Sequence, residues 1–230
     1  MHEPCLLFYS EGARITGIDL DLVDPDFSLK GMLDIWITNG FERFIKTFIR
    51  HLLFDRKYYN IIEQKYGKPL IKKNLDVRKM SAYKLDFSDN YFDFIFSNAV
   101  FEHIDNVDGA CSEISRVLKP DGCAYIGIHL YPSLSGGHNL EWAYPEEEPS
   151  ASVPPWDHLR ENMYPAHVFL NKLKKDDYIS IFNRFFDIHD ATFTFEGESL
   201  LTEDILKEIT GYSKEDLITR NMKILITKKI

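Results

Sequence analysis

Histidines, tryptophans and acids crowd one part of this chain. His129, His138 and His158, with Glu141, Trp142, Trp156 and Asp157, fall in a segment rich in Gly, Pro and Tyr. Imidazoles there could take a proton from a substrate oxygen, and the rings could line its pocket. His129 is the best placed as a base, because it ends an apolar run that reads as a buried strand; His138 and His158 come next. His103 is a second catalytic candidate, against a plainer reading in which Glu102 and His103 cap and solvate a loop. Metal ligation has to be weighed too, since His129, His138, Glu141, Asp157 and His158 are all ligand types. They show no His-x3-His or Cys-x2-Cys spacing, so the expectation is no metal.

The elements that must hold these residues are legible nearby. Phe92 to Ser97 is a nearly continuous apolar run, as expected of a strand covered on both faces. Val107, Ala110, Cys111, Ile114, Val117 and Leu118 then share one helical face. Pro120, Asp121 and Gly122 stop that helix and turn the chain, and Cys123 to Ile128 forms the next buried strand. Strand, helix and strand at this length make a parallel crossover, hence an α/β fold. In such sheets ligands bind beyond the carboxyl ends of the strands, here Ser97, Asn98 and Ala99 in one and His129, Leu130 and Tyr131 in the other. The stretch from about 130 to 168 reads as a substrate lid, with His138, Trp142, Trp156 and His158 as substrate contacts and Glu146 to Ser152 as a mobile tip. A metal-assisted hydrolase built on the lid histidines is a rival reading.

Upstream, Leu6 to Tyr9 ends a helix before Gly12, and Arg14 to Leu20 is a strand carrying Asp19 near its end. Phe41, Phe44, Ile45, Phe48, Ile49, Leu52 and Leu53 form a helical stripe expected to pack on the sheet. Lys57 to Tyr66 is a further helix and Leu75 to Met80 a further strand. Near the end, Phe185 to Phe195 and Asn221 to Thr227 read as strands, with Thr202 and Ser213 starting short helices between them.

Leu85 to Asp93, Phe94 to Ile104 and Arg116 to Gly122, in that order and spacing, resemble the second half of a class I S-adenosylmethionine-dependent methyltransferase. The resemblance implies a Rossmann-like, doubly wound mixed sheet with strand order three, two, one, four, five, seven, six. It also implies S-adenosylmethionine as cofactor. Asp19 matches the acid at the end of strand two that binds the ribose hydroxyls. Ser81 and Ala82 stand where the family commonly has Asp-Ala beside the adenine, and Ser97 and Asn98 lie by the methionine portion. The family's first strand and glycine-rich loop should precede Asp19 by ~20 residues, and no Gly-x-Gly pattern does. The expectation is therefore an N-terminally incomplete fold in a fragment of a longer methyltransferase. The alternative is a remnant that no longer binds cofactor.

The whole, 1–230, reads as one methyltransferase-like domain. A net charge of −9 repels phosphate backbones, so the acceptor is expected to be a small molecule or glycan-like group and not nucleic acid. Cys5, Cys111 and Cys123 lack paired spacing and fit a reducing compartment. With no leader pattern and no apolar run near the ~20 residues a membrane span needs, the chain is expected to be cytoplasmic, with no membrane partner.

Overall fold

The computed structural model describes residues 3–21, 28–71 and 75–229. They form two compact units, Met1–Leu85 and Asp86–Ile230.

The N-terminal unit holds helix α1 (Glu3–Ser10), strand β1 (Thr16–Asp19), helices α2 (Leu29–Asn39) and α3 (Phe41–Arg50), a π-helical turn (His51–Asp55), α4 (Arg56–Tyr66) and β2 (Asp76–Lys79). Ser28 caps α2 by accepting the Gly31 N–H at 2.9 Å. Gly40 breaks the chain between α2 and α3 at φ +89°, a left-handed value open to glycine without Cβ strain. Strands β1 and β2 pair in parallel, Thr16 opposite Asp76 and Asp19 opposite Lys79. Its buried apolar side chains are Leu6, Met32, Ile35 and Leu70.

The aromatic stripe corrects an expectation. Helix α3 buries none of its side chains, and Phe41, Phe48, Ile49, Leu52 and Leu53 are exposed. The rings instead meet one another, with Phe44 stacked 6.3 Å from Phe48 and Trp36 of α2 tilted against Phe41 at 5.9 Å. Helical spacing fixes which residues share a face; it does not supply the element that covers them.

The C-terminal unit is built on β3 (Phe92–Asn98), a 3-10 turn (Phe101–His103), α5 (Val107–Val117), β4 (Leu118–His129), α6 (Lys175–Phe185), β5 (Phe186–Phe195), α7 (Glu203–Glu208), α8 (Lys214–Ile218) and β6 (Thr219–Lys228). The sheet order is β3-β4-β6-β5, with β3 and β4 parallel and β6 antiparallel to both its neighbours. Asn106 caps α5 through the Gly109 N–H at 2.9 Å, and the helix buries Val107, Ala110, Cys111, Ile114 and Val117. From α6, Tyr178 and Phe182 are buried, as are alternate residues Ala124, Ile126 and Ile128 of β4 and Met222, Ile224 and Ile226 of β6.

Pro120 to Gly122 do not form the expected turn. The strand already begins at Leu118, opposite Phe92, and the register jumps so that Phe94 faces Cys123. Residues 119–122 are therefore a bulge, and a Cβ on Gly122 would lie 2.9 Å from the Asp93 carbonyl oxygen.

Both sheets follow the strand order that the resemblance implies for the strands present. Among the described strands, β1 pairs with β2 alone and β3 with β4 alone. The lid carries a core of its own, where Leu134, Trp142, Val153 and Trp156 pack with Ile209 and Leu217. Its tip is tied down, contrary to expectation. Glu146 Oε1 accepts the Gly197 N–H at 2.8 Å, and the Ser150 and Ser152 hydroxyls donate to Glu141 Oε2 at 2.6 and 2.7 Å.

Candidate active site

The end of β4 gathers the chemistry. After His129 the chain folds through successive turns, with Gly136 N–H donating to the Ser133 carbonyl and His138 N–H to that of Ser135, both at 2.9 Å. These turns bring the His138 ring back to 4.9 Å from the His129 ring. His138 pays a backbone cost for this, since φ is +56° and a non-glycine residue there is strained by about 1–3 kcal/mol. The glycines before it are enforced by contact. A Cβ on Gly136 would meet the Leu130 and Tyr131 oxygens at 2.3 Å, and one on Gly137 would meet the His158 ring at 2.5 Å.

Glu102 joins this pair from the 3-10 turn beyond β3. One of its oxygens and one nitrogen from each of His129 and His138 all lie within 4.8 Å of one another. The expected solvation of Glu102 is wrong: the residue is 1% exposed, because the turn tucks it under the loop that follows β4. Neither Glu102 oxygen has a hydrogen-bond partner, nor does His138 Nε2, although all three are buried. His103 completes the group, edge-on to His138 at 4.9 Å, with Nδ1 2.9 Å from the Phe169 carbonyl oxygen.

Burial dominates the electrostatics. It pushes His129 down to about 3, helped by the neighbouring His138 and Arg220, and pushes His138 down to about 4. It also raises the Glu102 carboxyl. At neutral pH both imidazoles therefore carry no charge. A hydrogen-bonded chain fixes the His129 tautomer. The Ser135 hydroxyl donates to Glu196 Oε1 at 2.6 Å, so its oxygen accepts from His129 Nε2 at 2.8 Å, which leaves Nδ1 with the lone pair. Glu196 also accepts the Ser135 N–H at 2.7 Å, and Arg220 Nε lies 3.3 Å from its other oxygen. With its proton turned to Glu196, Ser135 is not poised as a nucleophile for His129.

Of the expected substrate contacts, only His138 lies in this cluster. Trp156 is fully buried with Nε1 donating to the Leu217 carbonyl at 3.2 Å, and Trp142 is 3% exposed in the same apolar core. His158 Nε2 is 2.8 Å from the Tyr131 carbonyl oxygen, and burial pushes this imidazole down to about 4. The two tryptophans are enclosed in the lid, and half-buried His158 ties it to the end of β4 through the Tyr131 carbonyl. Sequence reasoning missed Glu102, Ser135 and Glu196 as members of the site. Its one signal was the placing of Glu102 beside a histidine just beyond a strand end.

Asp19 closes β1, with Oδ1 accepting the Asp21 N–H at 2.9 Å. Ser81 and Ala82 follow β2, and the Ser81 hydroxyl is buried without a hydrogen-bond partner. Ser97 and Asn98 close β3, where Asn98 packs so tightly on Gly127 that a Cβ there would sit 2.3 Å from its Oδ1. A carboxylate and an orphaned hydroxyl at the carboxyl ends of adjacent parallel strands fit the ribose and adenine of a nucleoside cofactor. The lid also carries a shallow cleft of about 370 Å³ lined by Leu140, Glu141, Tyr144 and Glu148 among others. No helix among the described residues is long and apolar enough to cross a membrane.

Residues 43–126 match the methyltransferase domain family. A putative S-adenosylmethionine-dependent methyltransferase from Listeria monocytogenes is similar over 99% of this chain and 86% of its own, at 14% identity and a TM-score of 0.53. That likeness shows the fold. A methyltransferase from Thermotoga maritima, described as a possible histamine N-methyltransferase, is 22% identical over 74% of this chain and 68% of its own, with a TM-score of 0.39. No curated protein matches.

Proposed function

We infer that this chain carries a class I S-adenosylmethionine-dependent methyltransferase domain and methylates a small-molecule or glycan-like acceptor. The carrying observation is the family match over residues 43–126, which runs through β2, β3 and α5 and into β4, the strand that delivers His129. Bound S-adenosylmethionine supplies an electrophilic sulfonium methyl. Asp19, Ser81 and Ala82, at the strand ends of the N-terminal unit, are the residues we assign to its ribose and adenine. The reading takes 1–230 as one methyltransferase-like domain with its lid at about 130–168, working in the cytoplasm.

The chain's own contribution is to orient the acceptor and remove its proton. His129 is the residue we assign to the second task because Ser135 occupies Nε2 and leaves the lone pair on Nδ1; burial keeps the ring neutral at the expense of its basicity. An acceptor amine or carboxylate has no need of that help. His103 is the other proton acceptor: its Nδ1–H donates to the Phe169 carbonyl, which leaves Nε2 with the lone pair. The acidic net charge and the small lid cleft support a compact polar acceptor over nucleic acid.

Calorimetric titration with S-adenosylhomocysteine is the first test. Saturable binding that weakens in Asp19→Ala is expected; a folded chain that binds none would sink the reading. Labelled methyl transfer to small hydroxylated compounds and glycans then tests the acceptor class, and transfer to nucleic acid alone would overturn it.

A further inference from the structure

The unpartnered atoms around His138 point to a ligand. A buried carboxylate whose oxygens make no well-formed hydrogen bond, with only the backbone N–H groups of Glu102 and His129 near it, beside an unpartnered imidazole nitrogen, is an expensive arrangement to keep without something between them. Two imidazoles and one carboxylate within 4.8 Å of each other form a donor set that suits a borderline divalent transition-metal ion such as Zn²⁺ or Fe²⁺.

We propose that Glu102, His129 and His138 bind one divalent transition-metal ion, leaving coordination positions open to water or to an acceptor oxygen. The supporting shell is in place. The hydrogen bond from His129 Nε2 to Ser135, itself held by Glu196, orients that ring and leaves its second nitrogen for the ion. The turns at Gly136 and Gly137 hold His138 in its strained conformation, and no Cβ can replace either hydrogen without a clash. Bonds of about 2.0–2.2 Å require the three donors to draw together, a movement of side chains more than of backbone. With the ion bound, the His129 lone pair is committed to it. Proton acceptance then passes to His103, whose ring stands edge-on to His138.

The site does not depend on methyl transfer, so the two readings can fail separately. The experiment uses the full chain, stripped with a chelator and titrated with Zn²⁺, and with Co²⁺ as a spectroscopic probe of coordination. The expected result is one ion per chain and a visible Co²⁺ spectrum of a low-coordinate nitrogen and oxygen site. Both should be lost in Glu102→Gln and in His138→Ala, with circular dichroism showing each variant folded. Ser135→Ala, which removes the orienting hydrogen bond to His129 together with the hydroxyl's bond to Glu196, should weaken binding about 10–100-fold. His189→Ala, at an exposed histidine on β5, should bind as the parent does. No binding by the folded parent overturns the proposal, as does binding unchanged in both Glu102→Gln and His138→Ala. Titration with S-adenosylhomocysteine in the same samples reports separately on the cofactor.

Discussion

The two units differ in how fully they bury their apolar side chains. In the N-terminal unit, aromatic and aliphatic side chains of α3 and the π-helical turn stand in solvent, and the side-chain ties are surface ones such as Lys68 with Glu11 and Arg43 with Asp21. In the C-terminal unit the sheet and lid bury large rings completely, and even a glutamate–serine–histidine chain is enclosed. Exposed ion pairs contribute little, typically 0–1 kcal/mol, whereas enclosed packing and charge-assisted hydrogen bonds contribute several times more. Stability should therefore reside in residues 86–230, and substitutions should reveal it.

Trp156→Ala should show the largest effect, about 3–5 kcal/mol in denaturant unfolding, because it empties the centre of the lid core. Glu196→Ala should cost about 1.5–3 kcal/mol, since it strands the Ser135 N–H and hydroxyl in a buried site; Glu196→Gln should recover part of that. Acid should act on the same unit. An imidazole in the unfolded chain titrates near 6.5, whereas folded His158 and His138 titrate at about 4. Between those values the unfolded state binds more protons, so stability rises with pH and is lost as pH falls from about 6.5 to about 4. The loss should be on the order of 3 kcal/mol for each imidazole in chelator-treated protein, followed by thermal melts across that window. Smallest of all, Leu53→Ser on the exposed N-terminal face should shift stability by no more than about 0.5 kcal/mol. If Leu53→Ser costs as much as Trp156→Ala, that face is covered in solution and the contrast between the units collapses.

The same contrast explains what could be read from sequence. Apolar runs announced β3, β4 and β6 as strands because that mark is local in the chain, yet β3 is not covered on both faces as expected: none of its residues is buried and Phe94 is exposed. The capping pattern at Ser213 did the same for α8, where both reciprocal hydrogen bonds form. The stripe from Phe41 to Leu53 was seen correctly as a helix face and wrongly as core, since burial depends on a partner the pattern cannot name. His129 and His138 were picked out by residue type. Their convergence with Glu102 was not legible, because it depends on how the loop after β4 returns past the turn after β3. Trp142 and Trp156 misled for a related reason: a tryptophan in a polar loop looks like a ligand platform until the loop is found to enclose its own core.

The place of β6 has a consequence for how the protein is made. Residues 219–228 lie between β4 and β5, so neither of those strands has its shared neighbour until these residues are available. A nascent chain halted after α8 would already contain Glu102, His129 and His138, yet β4 and β5 would each present a bare edge to the cell. The sheet is therefore joined up only when β6 is made, and chains stopped before it should be sticky and protease-sensitive instead of forming a smaller working protein.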